Sequence, residues 1–444
     1  MPRSLLTLCL LLALAACKPS AEESHTQAII GAVLIDGNGG PPITDSVVVV
    51  SGSRIRGAGS RANVPVPAGS DKIDGRGRFL VPGLIDLHVH LGTRGGPGFT
   101  ASDYTRQRIE KNLNAYLYFG VTTVRSAGAD REAGFEVRKA QRDGAPLGAR
   151  MFTAGRGFTA PGGPPSQEIG KITRQTDDPD DARRQVTELA SQQADLIKIW
   201  VDDAHGKQPK VKREVIEAIL EEARKHKIPV VAHIATLADT AHLVDAGASG
   251  FLHMIRDTEE IDPAFIVKLR DLRLVFAPTL VRQELAWLYT EKPRLLDDPG
   301  AARTLEPEVI AAVRALPKGQ PSETALLEFE RARRNTRRLA SSGVLIGVGS
   351  DGGSSIDFPG LMTHREIEIL VESGFSAVEA LTAATRNGAI ALGKLDELGT
   401  LEAGKRADLL LLEANPLEDV RNLRKIDRLM RDGQWIERDK LVVK

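Results

Sequence analysis

The sequence contains very little cysteine. Its 444 residues include 2 cysteines, Cys9 and Cys17, and both lie in an apolar segment at the N-terminus. The rest of the chain therefore contains no disulfide, and a packed core must stabilise it.

An excess of one charge is also absent, because Lys and Arg total 59 and Asp and Glu total 59. Nucleic-acid-binding proteins normally carry a basic excess, so the composition disfavours that class.

The long apolar run of the chain lies at the N-terminus. Arg3 is followed by LLTLCLLLALAAC, residues 5–17, which is short for a transmembrane helix and is typical of a signal peptide. Its last four residues, LAAC, resemble a bacterial lipobox. The resemblance implies cleavage before Cys17 and lipidation of that cysteine, with an ordinary secretory signal as the alternative. We therefore expect a lipoprotein signal peptide at 1–17, a polar tether at 18–27 and an exported bacterial lipoprotein, periplasmic or anchored to a cell-envelope membrane.

Two β-rich flanks surround a long middle segment. Residues 28–80 contain short alternating runs such as SVVVVSGSRI, and a similar pattern returns in residues 396–444 with ADLLLLEA. We expect the flanks to form one small composite β-sandwich.

Residues 81–395 alternate strand-like and helix-like segments. The predicted strands are LIDLHVHL, VTTVRSAG, RMFTAGRGF, DLIKIWV, PVVAHIA, GFLHMI, LVFAPTL and VLIGVGSD. They predict an α/β fold, a (β/α)₈ TIM barrel whose active site lies at the carboxyl ends of the strands.

Polar side chains of metal-ligand type lie in or at the ends of these apolar strands. They are His88, His90, Lys198, His233, His253 and Asp351. Each has an ordinary structural interpretation when taken alone. A histidine in an apolar strand is more often a hydrogen-bonded core residue, and a carboxylate after a strand can cap the next helix. The coincidence of all six at strand ends nevertheless predicts a metal centre.

Lys198 narrows the expected chemistry. In DLIKIW it shares a strand face with Leu196 and Trp200. A protonated lysine cannot bind a cation, but burial disfavours the ammonium form, and a neutral amine can react with carbon dioxide. The carbamate that forms is an anion with two oxygens, which suits it to bridge two metal ions. The alternative is a lysine on the outer face, with its stem buried and its amino group in water.

The six residues, together with LVPGLIDLHVH and GTLEAGKRADLLLL, resemble the binuclear metal-dependent amidohydrolase superfamily. The chain is most similar to the imidazolonepropionase-like and Xaa-Pro dipeptidase-like branch of that superfamily. The resemblance implies two divalent metal ions, for which zinc fits the ligand types. The implied ligands are His88, His90 and Asp351 for one ion, His233 and His253 for the other, and carboxylated Lys198 as the bridge. A hydroxide between the ions would attack the substrate, and Asp351 would be the catalytic residue that passes its proton to the leaving amine.

Four further residues are weaker candidates for substrate binding. They are Arg156, Arg256, Asp202 and Asp203. The arginines could clamp a substrate carboxylate or form structural ion pairs. The aspartates could contact an amine, orient the metal ligands or stabilise their loop. Residues from about 282 to 342 form a long connection, which we expect to contain extra helices that cover the site.

The predicted function is hydrolysis of an amide bond in a small acylated amino acid or dipeptide. Hydrolysis of a lactone, an ester or a phosphotriester is the chemical alternative, because the same nucleophile can attack any of these groups. A lipoprotein that binds a ligand without catalysis is the alternative from another class, and loss of metal ligands would mark it. The expected partners are a small amide or peptide substrate and, through the N-terminal lipid, a membrane.

Overall fold

A computed structural model of the chain describes residues 26–92, 104–146, 148–165, 172–317, 320–353 and 356–441. The predicted signal peptide, Cys17 and most of the predicted tether lie outside these ranges. Within these ranges, every helix is too short or too polar to span a bilayer.

The strands alternate with helices through the middle of the chain. In chain order the strands are β1 (Thr26–Ile30), β2 (Val33–Leu34), β3 (Ser46–Ser51), β4 (Arg54–Ser60), β5 (Asp71–Asp74), β6 (Phe79–Pro82), β7 (Leu84–Val89), β8 (Val121–Ser126), β9 (Arg150–Thr153), β10 (Phe158–Thr159), β11 (Arg174–Gln175), β12 (Ile197–Trp200), β13 (Val230–His233), β14 (Gly250–Leu252), β15 (Val275–Ala277), β16 (Leu345–Ile346), β17 (Leu409–Leu412), β18 (Ile426–Arg431) and β19 (Gln434–Ile436). The helices are α1 (Arg106–Tyr118), α2 (Glu132–Arg142), α3 (Pro179–Ser191), α4 (Arg213–Lys225), α5 (Leu237–Ala246), α6 (Pro263–Asp271), α7 (Leu280–Glu291), α8 (Pro299–Thr304), α9 (Pro307–Arg314), α10 (Glu323–Ser341), α11 (Leu361–Glu372), α12 (Ala377–Ala383) and α13 (Arg386–Ala391).

The middle of the chain forms parallel sheet. One sheet has the order β11-β10-β12-β13-β14-β15-β16, and a second has the order β7-β8-β9. The prediction of an α/β fold with parallel strands is therefore confirmed. Each predicted strand segment contains a strand, but RMFTAGRGF divides into β9 and β10, because Gly155 between them has a φ of +63° that interrupts the extended chain.

Backbone hydrogen bonds also link the two parallel sheets. The amide of Leu87 in β7 donates to Val348 just after β16 at 2.8 Å, and the amide of Asp351 donates to His88 at 2.7 Å. On the other side, the amide of Asp195 before β12 donates to Thr153 in β9 at 2.9 Å. The first and last strands of the parallel region are thus direct neighbours.

Two further sheets combine the two ends of the described chain. One has the order β19-β18-β17-β6-β2, in which β17 pairs antiparallel with β6, and the other has the order β4-β3-β1-β5. Apolar side chains from both sheets share one buried cluster, which includes Ile29, Val48, Leu80, Leu409 and Met430. Strand β1 begins at Thr26, inside the predicted tether, because it pairs antiparallel with β3 from its first residue.

Local sequence signals define the helices next to the site. Thr236 follows β13, and its side chain accepts a hydrogen bond from the Asp239 amide at the start of α5. Gly247, with φ +95°, ends that helix. The long connection after β15 contains α7, α8, α9 and α10, so the predicted extra helices are present.

We expect Gly433→Ala to destabilise the protein strongly. Gly433 lies in the turn between β18 and β19, and this turn packs against the turn between β3 and β4 of the other terminal sheet. Gly433 has φ +78°, and a Cβ there would overlap the carbonyl oxygen of Gly52 in the turn between β3 and β4. Gly404→Ala is the matched control, since Gly404 has φ +91° but nothing within 4 Å of the new Cβ. The control carries only the left-handed backbone cost of about 1–2 kcal/mol.

Gly433→Ala should cost about 1–3 kcal/mol more than Gly404→Ala, the range for overpacking. Chemical denaturation of both variants measures this difference in the free energy of unfolding. Equal losses for the two variants would show that the contact between the Gly433 turn and the Gly52 turn contributes nothing.

Candidate metal centre

Three predicted histidine ligands meet at the carboxyl ends of parallel strands. His88 lies in β7, His233 ends β13, and His253 directly follows β14. The ring centroids of His88 and His253 are 5.0 Å apart, and those of His233 and His253 are 4.1 Å apart. They come from distant parts of the sequence and meet because parallel strands end at the same edge.

Asp351 and His90 join the same group. Asp351 Oδ1 lies 3.2 Å from His88 Nε2 and 2.9 Å from His90 Nε2. The ligand atoms offered by His88, His253 and Asp351 all lie within 4.8 Å of one another, so the three could hold one metal ion. Two imidazoles and a carboxylate are a common ligand set for zinc and related divalent ions.

Lys198 is buried beside this group. Its side chain in β12 is fully buried, and its Nζ lies 5.0 Å from the centre of the Trp200 ring. Gly128 and Gly157 make room for it, because a Cβ at either position would come within 3 Å of Lys198 Cγ. Burial lowers the pKa of Lys198 to about 7, so a large fraction of the amine is neutral near neutral pH. The alternative of a lysine on the outer face does not fit this burial.

Several of these polar atoms are buried and, among the described residues, have no hydrogen-bond partner. They are both ring nitrogens of His88, Nδ1 of His90, Nζ of Lys198 and Oδ1 of Asp351. The short approaches of Asp351 Oδ1 to the imidazoles do not have hydrogen-bond geometry. A buried polar atom without a partner costs about 1–3 kcal/mol, so a histidine-containing core would normally pair these atoms. The donor set therefore fits bound cations better than it fits a structural core.

The backbone at the site is strained. His253, Thr279 and Asp351 have φ values of +69°, +51° and +58°, in the left-handed region that non-glycine residues rarely adopt. Such residues cost about 1–3 kcal/mol each and concentrate at functional sites. His253 and Thr279 lie one and two residues after β14 and β15, and Asp351 lies five residues after β16.

The imidazoles are held in the neutral form that binds metals. Burial lowers the pKa of His233 to about 4, although Asp202 opposes the shift. Burial also lowers the pKa of His88 and His253 well below the usual range. Neutral imidazole offers a lone pair to a metal, whereas imidazolium does not.

Other residues orient the candidate ligands, and of these the sequence analysis offered that role only for Asp202. Asp202 Oδ2 lies 2.9 Å from His233 Nε2, and Thr279 Oγ1 bonds to His253 Nδ1. Asp86 is buried and accepts from the amides of His88 and Ser350, at 3.1 and 3.0 Å. Asp86 had a sequence signal, because it shares a strand face with His88. Thr279 had none, since its contact is made only by the fold.

A cavity of about 330 Å³ opens next to these ligands. One part of its wall is apolar and includes Tyr104, Pro164, Pro165, Ile172 and Trp200. The other part is polar and includes Gln208, Arg256, Arg282, Gln283 and Glu328. Arg282 and Gln283 come from α7 and Glu328 from α10, so the extra helices contribute to the wall.

The structure divides the four weaker candidates into two pairs. Arg256 and Asp202 line the cavity and lie 3.3 Å apart, between Arg256 Nη2 and Asp202 Oδ2. Arg156 instead donates to the carbonyls of Ile172 and Thr173, and it does not line this cavity. Asp203 accepts from the Gly206 amide at 2.9 Å and also lies outside the cavity wall. The Asp203 contact fits its alternative of stabilising the loop, whereas the Arg156 contacts are to backbone carbonyls.

Residues 79–436 match the sequence pattern of the amidohydrolase family. The chain belongs to this family. It is therefore an enzyme of the hydrolase class whose relatives act on amide bonds, and the predicted superfamily is confirmed.

Individual relatives agree with this assignment. The chain is 26% identical over 442 residues to an ochratoxinase of Aspergillus niger, covering 90% of this chain and 84% of the relative. It is 25% identical over 390 residues to the imidazolonepropionase of Streptomyces griseus subsp. griseus, covering 85% and 88%. A crystal structure of a Xaa-Pro dipeptidase with bound methionine superimposes with a TM-score of 0.74 at 23% identity, covering 93% of this chain and all of that chain, which shows a shared fold. The predicted branch of the superfamily is thus confirmed.

Glu366 supports the helix that carries part of the site. It lies in α11, is fully buried, and its Oε2 accepts from the Val281 amide at 2.8 Å. This contact caps α7, whose own N-cap residue Thr279 makes no side-chain cap bond. Burial raises the pKa of Glu366 to about 8, so the carboxyl is largely protonated near neutral pH.

We expect Glu366→Ala to destabilise the protein by about 1–2 kcal/mol through loss of this cap. The catalytic rate should also fall, because α7 begins beside Thr279 and carries Arg282, whose Nε lies 3.4 Å from Asp351 Oδ2. Glu366→Gln is the matched control, since an amide oxygen can still accept the bond. Denaturant unfolding and kcat/KM measure the two effects.

The same pair predicts a pH dependence. The folded pKa of about 8 lies above the usual 4.5, so folding favours the protonated acid. Stability from this residue is complete below about pH 4.5 and falls as the pH rises toward 8. In metal-depleted protein, the wild type should therefore lose stability relative to Glu366→Gln over this interval. A constant difference across the interval would contradict the prediction.

Proposed function

We propose that this amidohydrolase-family enzyme hydrolyses amide bonds in small acylated amino acids or dipeptides at two bound divalent metal ions. The observation that carries the proposal is Lys198, which is fully buried with no hydrogen-bond partner among the described residues, beside a group of imidazoles and Asp351. A site with one metal ion does not explain why the Lys198 amine is buried beside the imidazoles. A carboxylated lysine between two ions accounts for its burial and for its low pKa.

We further infer that the parallel strands form a (β/α)₈ barrel. The hydrogen bonds between β7 and the segment after β16, and between β9 and the segment before β12, support closure. We also infer that the two mixed sheets form the predicted composite β-sandwich, since they share one apolar cluster. This arrangement holds the ligands on rigid strands and leaves the connections to shape the cavity.

The residues present fit two metal ions. His88, His90 and Asp351 would hold one ion, and His233 and His253 would hold the other, with carboxylated Lys198 between them. The ions, which we propose to be zinc, would activate water and polarise the scissile carbonyl. Asp202 holds His233 in one orientation, and Thr279 does the same for His253, so the imidazoles are positioned before substrate arrives.

Asp351 is suited to move a proton. Its Oδ1 faces His88 and His90, while its Oδ2 lies 3.4 Å from Arg282 Nε in the cavity wall. A carboxylate with one oxygen toward the ligands and one toward the cavity can accept a proton from water and deliver it to the leaving amine. The carboxylate is ionised before it accepts the proton, carries the proton between the two transfers, and is ionised again once the proton is delivered.

The cavity wall supports a substrate with an apolar part and an amide. Its volume of about 330 Å³ suits a small molecule, and Trp200 and Ile172 offer apolar surface to an acyl group or side chain. Gln283 has a buried amide whose nitrogen and oxygen lack hydrogen-bond partners among the described residues. A substrate amide, with one donor and one acceptor, would complement it.

A hydrolysis screen tests the proposed reaction. Purified, metal-loaded protein is assayed against N-acyl amino acids, dipeptides, lactones, esters and a phosphotriester. We expect the highest kcat/KM for an amide substrate. If a lactone, an ester or a phosphotriester is hydrolysed and the amides are not, the proposed substrate class is wrong. If the metal-loaded protein hydrolyses none of these compounds, a ligand-binding lipoprotein is favoured.

We expect Lys198→Ala to reduce kcat/KM by at least about 100-fold, the upper range for losing a residue that merely orients ligands. Its metal content should fall from near two ions to near one, because the bridge is removed. Lys198→Arg should fail equally, since guanidinium stays charged and cannot form this carbamate. Short carboxylic acids should partly restore Lys198→Ala by replacing the bridge.

Elemental analysis and steady-state kinetics measure these effects. Lys225→Ala, on the exposed end of α4, is the control for loss of a lysine and should retain both metal ions and activity. A Lys198→Ala protein with two ions and normal activity would refute the binuclear assignment.

We also propose that the enzyme is an exported lipoprotein anchored through Cys17. The support is the LAAC sequence at the end of the apolar run. A lipid at Cys17 would hold the catalytic domain close to a membrane through the polar tether.

A further inference from the structure

A second cavity lies at the opposite end of the parallel strands from the metal centre. Its volume is about 800 Å³, and it lies between α2, the start of β9 and the turn that joins β18 to β19. Arg150, the first residue of β9, lines it, whereas the candidate metal ligands lie at or near the carboxyl ends of their strands. We call it the basic cavity.

The charge of the basic cavity is unbalanced. The cations in its wall are Arg138, Arg142, Arg150, Lys394, Arg406 and Arg431. The carboxylates in its wall are Glu397 and Asp432. Asp195 and Asp408 lie behind the wall and pair with the arginines of α2 and with Arg150. Six cations against four carboxylates leave a surplus of two positive charges in a recess of the protein.

The surplus is concentrated near Asp432. This carboxylate accepts from Arg150 at 2.6 Å and from Arg406 at 2.8 Å. Arg431 comes no closer than 3.8 Å to it, although the Arg431 side chain is only 9% exposed. Arg431 Nε is buried without a hydrogen-bond partner among the described residues. Arg150 also pairs with Asp408 and Arg406 also pairs with Glu397, so Arg431 is the least compensated of the three guanidinium groups.

A buried cation in this state is unfavourable. Burial, opposed only in part by the acids nearby, lowers the pKa of Arg431, and the adjacent Arg150 lowers it further. Guanidinium groups bind oxyanions through paired N–H donors, which a single distant carboxylate does not use. An anion in the basic cavity would supply both the missing charge and the missing acceptor.

We propose that the basic cavity binds a small oxyanion of the phosphate class, with Arg431, Arg150 and Arg406 as the main contacts. This proposal is independent of the reaction at the metal centre, because the two sites lie at opposite ends of the strands. Phosphate matches a wall with several guanidinium groups better than a carboxylate does, since it offers more acceptor oxygens to separate donors.

The phosphate could be free or could belong to a phospholipid headgroup. The side-chain amide of Gln27 donates to the Gly433 carbonyl at 3.1 Å, so the tether enters the fold beside Asp432. The ten Cα–Cα steps from Cys17 to Gln27 span at most about 35 Å. A lipid anchor at Cys17 would thus hold headgroups within reach of the basic cavity.

Thermal unfolding of the full-length, metal-loaded protein in inorganic phosphate tests the proposal. We expect the Tm to rise with phosphate and to saturate, while chloride at the same ionic strength has no such effect. In Arg431→Met the phosphate-dependent rise should disappear. The Tm of this variant without phosphate should equal or exceed that of the wild type, because a poorly compensated buried cation has been removed.

Arg428→Met is the matched control. It lies on the same strand, is exposed and does not line the basic cavity, so it makes the same charge change and should keep the response to phosphate. A phosphate response that survives in Arg431→Met would place the anion at the metal centre and overturn the proposal. A wild type without any response would also overturn it, as would an Arg431→Met protein that is destabilised without phosphate.

A second arm identifies the source of the phosphate. Glycerophosphoglycerol, a soluble phospholipid headgroup, is compared with inorganic phosphate in the same measurement. A stronger response to the diester that requires Arg431 identifies a headgroup. A response confined to inorganic phosphate identifies the free anion.

Discussion

The structure depends on excluding water from a set of polar atoms at the carboxyl ends of its parallel strands. Lys198, His88 and Asp351 are buried, yet key atoms of each have no hydrogen-bond partner among the described residues. Without a compensating charge this arrangement would be costly, because each such atom loses its contact with water. Bound cations would reverse the balance, since imidazole nitrogens and a carboxylate are metal ligands and the carbamate that we propose on Lys198 would be another. The burial that would weaken an ordinary core thus creates a metal site.

The surrounding residues maintain this arrangement in layers. Asp86 accepts from the backbone of β7 and from Ser350, so it fixes the first strand to the segment that carries Asp351. Thr279 contacts His253, and Glu366 caps the helix that begins just after Thr279. Three residues at the site adopt left-handed backbone angles, which a flexible chain would relax. A rigid scaffold of paired strands and capped helices is therefore a condition for the ligand geometry.

The sequence indicated the candidate ligands but not the residues of the cavity wall. His88, His233 and His253 stand out because a histidine in an apolar strand is locally anomalous, and the strand alternation places them at one end. Gln283 and Glu328 had no such signal, since they lie in ordinary amphipathic helices whose direction depends on packing. Arg156 was a candidate because it follows a strand, but its guanidinium turns to the carbonyls of Ile172 and Thr173. The position at a strand end determines where the backbone of Arg156 lies, but its long side chain can still reach several different hydrogen-bond acceptors.

The sequence by itself determined the α/β alternation, the family and the residue types of the metal site. These follow from short-range patterns, because strand periodicity and ligand chemistry are both local properties. Only the tertiary structure decided which polar groups face the cavity, that the two ends of the described chain share mixed sheets, and that six cations surround the basic cavity. Those features arise between residues hundreds of positions apart, such as Arg150 and Asp432, and their charge balance exists only after the elements pack together.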